Sequence, residues 1–431
     1  MSQDSELKRE LGLLEVTLSG VGIIVGAGIY ALIGPAAGMA GNAVWLSFGI
    51  AALIALFTGL SYAELSSMFP KASAEYEYTN HAFGRRIAFV VGWMIIFSGV
   101  TGSSTVALGF GGYFSSITGI SVLISSILLI PALSLIILYG IKESAWVAII
   151  FTLIEISGLV LIIFIGIPHL GSVDYFEMPY GFGGIFGAAA LVFFAYMGFE
   201  DIVKLSEETK NPEKVIPKGL VLALVITIIL YMLVPLSAVS VLGWEQLGSS
   251  KAPFSDVAYV ALGNSAYVLV SVIALFATAN TVLIILLVTS RIIYGMAASF
   301  SLPHQLARIH PKRRTPWVAI IATMVVSMIF VLAEDIAFVA SVNDFILFLT
   351  FMVINASLIF LRYREPGRPR PFRVPLTLGR MPLLPVMGIF SCIFLTLHLE
   401  GIVMLVGSAL VMLGGIVSLL AAKISERSSF K

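Results

Sequence analysis

Ser19-Gly20-Val21-Gly22-Ile23-Ile24-Val25-Gly26-Ala27-Gly28-Ile29-Tyr30 lies in the middle of an apolar run over residues 13–35. A run of about 20 apolar residues is long enough to cross a bilayer as a helix. Glycine in a helix interior costs about 1 kcal/mol against alanine, so Gly26-Ala27-Gly28 at mid-run predicts an unwound turn. Close helix packing through small residues is the competing reading, and Gly22 and Gly26 have the spacing for it. A second stretch favours the turn. Phe193-Phe194-Ala195-Tyr196-Met197-Gly198-Phe199-Glu200-Asp201 interrupts the apolar run 184–206 with a glycine followed by two acids.

Between and beyond these two stretches the sequence holds further apolar runs, giving twelve expected spans. They cover 13–35, 43–68, 87–113, 121–140, 144–168, 184–206, 218–241, 265–291, 317–333, 337–361, 383–399 and 401–422. With the start of the chain placed inside, the inner segments receive every one of the 25 lysines and arginines except Lys251. That asymmetry is what the positive-inside rule demands. The expectation is an all-α integral protein of the plasma membrane with twelve transmembrane helices, both termini cytoplasmic and no soluble domain. The termini are residues 1–12 and 423–431, and the segment around Glu365-Pro366-Gly367-Arg368-Pro369 reads as an extended Pro/Arg linker. Lys8 and Arg9 before the first run give a signal-peptide look. The run exceeds the roughly 7–15 residues of a signal core, so it reads as an uncleaved first helix.

Composition agrees. The chain is 59% hydrophobic and 11% charged, where a soluble domain carries about 25% charge. Mean hydropathy is +1.03. A net charge of +1 gives nucleic acid nothing to bind, and the one cysteine, Cys392, has no partner for a disulfide or a metal site. No cofactor is called for.

The sixth span stands five after the first, so spans 1–5 and 6–10 run in opposite senses. Paired interrupted helices in two inverted halves point to a transport site near the midplane. Irregular backbone is tolerated at that depth where it lines a cavity. The first span enters from inside, so its outer half begins after Gly28. The amides of Gly26, Ala27 and Gly28 then face the site with the positive end of a helix dipole behind them, which attracts a carboxylate. The sixth span enters from outside, and its outer half ends near Met197, leaving the carbonyls of Phe194, Ala195 and Met197 to accept from an ammonium. Amides on one wall and carbonyls on the other suit the zwitterion of an amino acid. Ile23 and Gly198, next to the breaks, complete the expected wall.

At these residues the sequence resembles the amino acid–polyamine–organocation permeases, over essentially its whole length. Four stretches carry the resemblance: residues 22–30; Tyr62-Ala63-Glu64-Leu65-Ser66-Ser67-Met68-Phe69-Pro70-Lys71; residues 194–200 with Glu207-Glu208-Thr209-Lys210-Asn211-Pro212 and Ile216-Pro217; and Arg370-Pro371-Phe372-Arg373-Val374-Pro375. The nearest look is to prokaryotic proton-coupled amino acid transporters. The resemblance implies a leucine-transporter-type fold, with inverted repeats over 13–168 and 184–361 and two extra helices over 383–422. It also implies proton coupling or exchange, and it places Phe194 as a ring covering the substrate. Three positions depart from the family. Ala298-Ser299-Phe300-Ser301-Leu302-Pro303 stands where Ala-Arg-Asp-Gly and a proline are frequent. Ser98 stands where cation-selective relatives place a glutamate, and Glu155 where a proton-coupled relative places a lysine.

Glu155 and Glu200 are the acids expected near mid-depth in spans 1, 3, 5, 6 and 8. Intramembrane carboxylates are usually functional, and an acid whose surroundings alternate between wet and dry takes up and releases a proton. The bland readings are a protonated Glu155 bonded to a backbone carbonyl and a Glu200 that caps the inner half-helix. Glu15 and Glu64 read as caps or ion-pair partners. The function expected is secondary transport of neutral amino acids coupled to protons. Exchange, sodium coupling and a polyamine or amine substrate are the alternatives. An enzyme is disfavoured because no His-Glu-x-x-His, Gly-x-Ser-x-Gly or phosphate-binding Gly-rich motif occurs.

Overall fold

The computed structural model describes residues 9–71, 73–139, 145–299 and 302–428. Lys8, Lys142, Phe300, Ser301 and Lys431 lie outside them. The described chain is almost wholly helical: α1 (Leu13–Ile24), α2 (Gly28–Ala40), α3 (Val44–Met68), α4 (Ala74–Phe83), α5 (Arg85–Thr118), α6 (Val122–Tyr139), α7 (Ala145–Gly166), α8 (Gly181–Val192), α9 (Pro212–Ser249), α10 (Pro253–Leu262), α11 (Asn264–Ala298), α12 (Trp317–Val331), α13 (Ile336–Arg364), α14 (Leu383–Thr396) and α15 (Gly401–Ser428). Two 3-10 segments, Phe193–Tyr196 and Phe199–Glu208, continue the line of α8.

Among the described residues, nine helical segments are long and apolar enough to cross a membrane, and Leu13–Ile24, Trp317–Val331 and Leu383–Thr396 are shorter apolar helices. Large apolar side chains face outward on α6, α7 and α15, among them Leu128, Phe164 and Leu405. That surface suits lipid, as expected of a multi-pass membrane protein. Inside, small residues and aromatic rings pack α3 against α9 and α5 against α11.

Local signals account for the helix ends. Asp335 caps α13 by accepting from the amides of Ala337 (2.9 Å) and Phe338 (3.0 Å). Pro212 opens α9 in its first turn, where the missing N–H costs nothing. Glu15 turns back to the Gly12 amide (3.0 Å), the capping role expected of it.

Two elements were not expected. α4 is a polar helix and α10 is a ten-residue one, and neither is an apolar run of spanning length. A third correction concerns the Pro/Arg segment after α13. It does not extend freely. Glu64, fully buried at the end of α3, receives the Arg362 guanidinium through Nε (2.9 Å) and Nη2, with Arg370 Nε at 3.5 Å. The Val374 amide donates to the same carboxylate at 2.7 Å. A buried charge demands such partners, so this one draws the whole segment down onto the ends of α3 and α13. A two-residue hairpin, Thr377–Leu378 with Met381–Pro382, then leads into α14.

Candidate functional site

The first break lies between α1 and α2. Gly26 closes a tight turn with its N–H on the Ile24 carbonyl (2.7 Å). The Ala27 amide donates to Thr281 Oγ1 of α11 (3.3 Å). The amides of Gly26 and Ala27 are therefore taken up within the protein, contrary to the sequence expectation. α2 starts at Gly28. Its first-turn amides, of Gly28, Ile29 and Tyr30, are the ones an α-helix leaves without intrahelical acceptors. The positive end of α2 thus sits one to two residues further along than expected.

The second break follows α8. The chain tightens into the 3-10 turn Phe193–Tyr196, Met197 adopts an extended ψ of 141°, and Gly198 takes φ 113°. The Phe194 carbonyl accepts the Met197 amide at 3.1 Å, leaving one lone pair for anything else. Glu200 Oε2 accepts from the Gly198 amide at 2.9 Å, so it does cap the helical segment that follows the break.

The two breaks press against each other. A Cβ on Gly28 would meet the Ala195 Cα at 2.9 Å and the Phe194 ring at 3.3 Å. A Cβ on Gly198 would meet the Ile23 carbonyl oxygen at 2.7 Å. Only glycine lets both chains approach so closely, and only glycine accepts the Gly198 backbone without strain. Gly26 is different: its Cβ would find Thr281 no nearer than 3.4 Å, so it is not a packing glycine. Gly22 is, because a Cβ there would lie 2.2 Å from Thr152 Oγ1 of α7.

Ile23, Gly26, Ala27, Gly28, Ser98, Glu155, Phe194, Ala195, Met197, Gly198 and Glu200 all line one cavity of about 200 Å³. The lining is asymmetric. It follows α11 as far as Ile292 and reaches Glu75 in α4, whereas across the breaks it ends at Val106 and Phe194. Much of the remaining wall is apolar, with Ile95, Ile284, Ile285 and Val288.

Polar groups cluster at three places. Ser98 Oγ lies 3.8 Å from Met197 Sδ. Glu155, 2% exposed, accepts from Asn280 Nδ2 at 3.3 Å, while its backbone carbonyl holds the Tyr30 hydroxyl at 2.7 Å. Asn280 Oδ1 is buried without a hydrogen-bond partner. At the α4 end, Lys204 bonds Asp201 and stands 4.0 Å from Glu75. Burial holds the Glu75 carboxyl above its ordinary range although Lys204 pulls the other way.

Sequence reasoning missed Asp344 and Asn343 of α13. Asn343 donates to Met197 Sδ at 3.5 Å and accepts from Thr101 at 3.1 Å. Asp344 is fully buried, and neither carboxylate oxygen makes a hydrogen bond of normal geometry, though the Phe194 backbone and the Asn343 amide lie beside it. It stands behind the second break, off the cavity wall. The signal was present, an acid inside the apolar run 337–361, but span 10 is not one of the spans in which a mid-depth acid is expected. Asn280 and Thr281, a polar pair within the apolar α11, escaped because uncharged polar residues are common in such runs and carry no comparable signal.

These features define a class: an all-α, multi-pass membrane protein with two broken helices meeting at a cavity. Sequence comparison narrows it. Residues 11–425 match the amino acid permease family, and the chain belongs to that family, which is one of transporters rather than enzymes. It is 33% identical over 420 residues to the branched-chain amino acid permease BcaP of Bacillus subtilis, covering 92% of this chain and 90% of that one. It is 29% identical to the methylthioribose transporter of the same organism, covering 93% and 90%. The vacuolar cationic amino acid transporter 4 of Arabidopsis thaliana is 30% identical, with 84% of this chain covering 64% of the plant protein.

Proposed function

We propose that this protein is a secondary active transporter of neutral, predominantly apolar amino acids across the plasma membrane, working by alternating access and driven by protons. The observation that carries the reading is the contact of the two breaks. The positive end of α2 and the carbonyl end of the turn Phe193–Tyr196 meet at one cavity, so a small zwitterion entering it finds a donor end and an acceptor end. In this reading the amides from Gly28 onward hold the carboxylate, and the Ala195 and Met197 carbonyls, with the free lone pair of Phe194, hold the amine. The side chain is left to Ser98, Ile95, Ile285 and Val288, one small hydroxyl among aliphatic residues. The naming of BcaP for branched-chain amino acids agrees with such a wall.

The same reading places twelve spans with both termini in the cytoplasm, and two inverted repeats over 13–168 and 184–361. The cavity then continues toward the cytoplasm and closes toward the outside. For coupling, Glu155 is the favoured proton carrier. It is buried between α1, α2 and α11 beside the unpartnered Asn280 Oδ1, an arrangement that changes with its protonation. Glu200 recedes because it is occupied as a cap, and Asp344 joins as a second candidate.

Uptake into proteoliposomes tests this. Leucine, valine, alanine and phenylalanine should accumulate under an imposed inward proton gradient, and arginine or lysine should compete poorly. Glu155→Gln should lose gradient-driven accumulation while keeping counterflow exchange. Accumulation that requires sodium and ignores the pH gradient would remove proton coupling. Preference for arginine would overturn the specificity.

A further inference from the structure

A second cavity lies away from the transport site, under the segment that follows α13. Its volume is about 320 Å³, and Arg362, Arg370, Arg373 and Arg380 line it together with Thr377 and Gly379. No acidic side chain is among its lining residues. Arg362 and Arg370 are already committed to Glu64 at the back of the cavity. Arg373 and Arg380 are exposed, and among the described residues neither makes an ion pair; Glu365, the one acid of this segment, pairs with Arg368. Four guanidinium groups around one concavity, two of them without a counter-charge, form a site short of negative charge. The planar N–H fork of arginine matches a phosphate in two-point contact.

We propose that this cavity binds a phosphate group, held by Arg373 and Arg380 with Thr377 as a neutral donor. The neighbourhood points to the source. The hairpin that carries Arg380 also presents Leu376 and Leu378, 64% and 75% exposed, and runs directly into the apolar α14. Apolar side chains beside arginines at the start of a membrane helix are the arrangement that engages an anionic phospholipid headgroup. A soluble phosphate compound satisfies the same arginines without needing the leucines.

Thermal melting of the purified, detergent-solubilised protein distinguishes the two. The probes are dioctanoyl phosphatidylglycerol, dioctanoyl phosphatidylcholine, and potassium phosphate against potassium chloride at equal ionic strength. Phosphatidylglycerol should raise the melting temperature where phosphatidylcholine does not. Arg373→Ala/Arg380→Ala should need about 30-fold more phosphatidylglycerol for the same shift, and either single variant about 5-fold more. If the double variant does not fold, the two single variants decide. Arg373→Lys/Arg380→Lys should retain a weaker response, because charge survives while the fork is lost. Stabilisation by potassium phosphate as strong as by phosphatidylglycerol would support the site and assign it a soluble ligand. Equal responses to the two lipids, or a response unchanged by the alanine variants, would overturn it.

Discussion

Gly198→Ala is the sharpest test of the two-break arrangement. Gly198 sits at φ 113°, where an alanine backbone is strained by about 1–3 kcal/mol. Its new Cβ would also lie 2.7 Å from the Ile23 carbonyl oxygen and 3.0 Å from Ile23 Cγ2. Relieving that overlap means moving backbone rather than a flexible side-chain tip, at a further cost of about 1–3 kcal/mol. The sum, about 2–6 kcal/mol, falls on the geometry that brings the two broken helices together. Each 1.36 kcal/mol is a factor of ten in rate, so even the low end lowers uptake about thirtyfold. Gly28→Ala has no backbone strain, but its Cβ would meet Ala195 Cα at 2.9 Å, so a smaller loss is expected. Gly26→Ala meets nothing nearer than 3.4 Å and should transport almost normally. The assay is initial-rate leucine uptake into proteoliposomes, normalised to folded protein by size-exclusion chromatography. Wild-type uptake by Gly198→Ala, or equal losses at positions 26 and 198, would refute the reasoning.

Three further perturbations follow from the described contacts. Ala27 has φ −67°, which proline shares, so Ala27→Pro removes little but the donor to Thr281, about 1 kcal/mol; uptake should fall about fivefold with expression intact, and normal uptake would show that the amide does not matter. Glu64→Gln leaves the buried Arg362 without its counter-charge, a loss of about 3–5 kcal/mol; melting should fall sharply, and Glu64→Gln/Arg362→Leu should recover much of it, so a double variant no better than the single would count against the pair. The Glu75 carboxyl is held above its ordinary value of 4.5 by burial, so its contribution to stability is full below that value and is lost as pH rises through the raised one. The melting temperature of the wild type relative to Glu75→Gln should therefore decline with increasing pH over that window, and a pH-independent difference would contradict it.

What could be read from the sequence divides along physical lines. Glycines clustered inside apolar runs announced both breaks, because an apolar run fixes depth and glycine marks where a helix is weak. The residues around the cavity followed, since they flank those breaks. Which amides stay free was not legible: Gly26 is satisfied by a local turn, and Ala27 by a threonine 254 residues away. α4 and α10 escaped because a search for apolar runs of spanning length passes over a polar helix and a ten-residue one. The linker was misjudged because its proline and arginine content describes stiffness and charge but not the carboxylate of Glu64, which only the fold brings beneath it.

Glu64 also bears on how the chain is made. It emerges 298 residues before Arg362. At about 5–20 residues per second of synthesis, the glutamate waits roughly 15–60 s for its partner. Arg370, Val374 and the rest of its shell come later still. For that interval the carboxylate must keep water or a proton, so the end of α3 cannot settle into its final depth until the tenth apolar run has been delivered. The order of translation thus sets a late locking step at this corner of the molecule, and a ribosome stalled before Arg362 would leave an α3 whose C-terminal end is still wet.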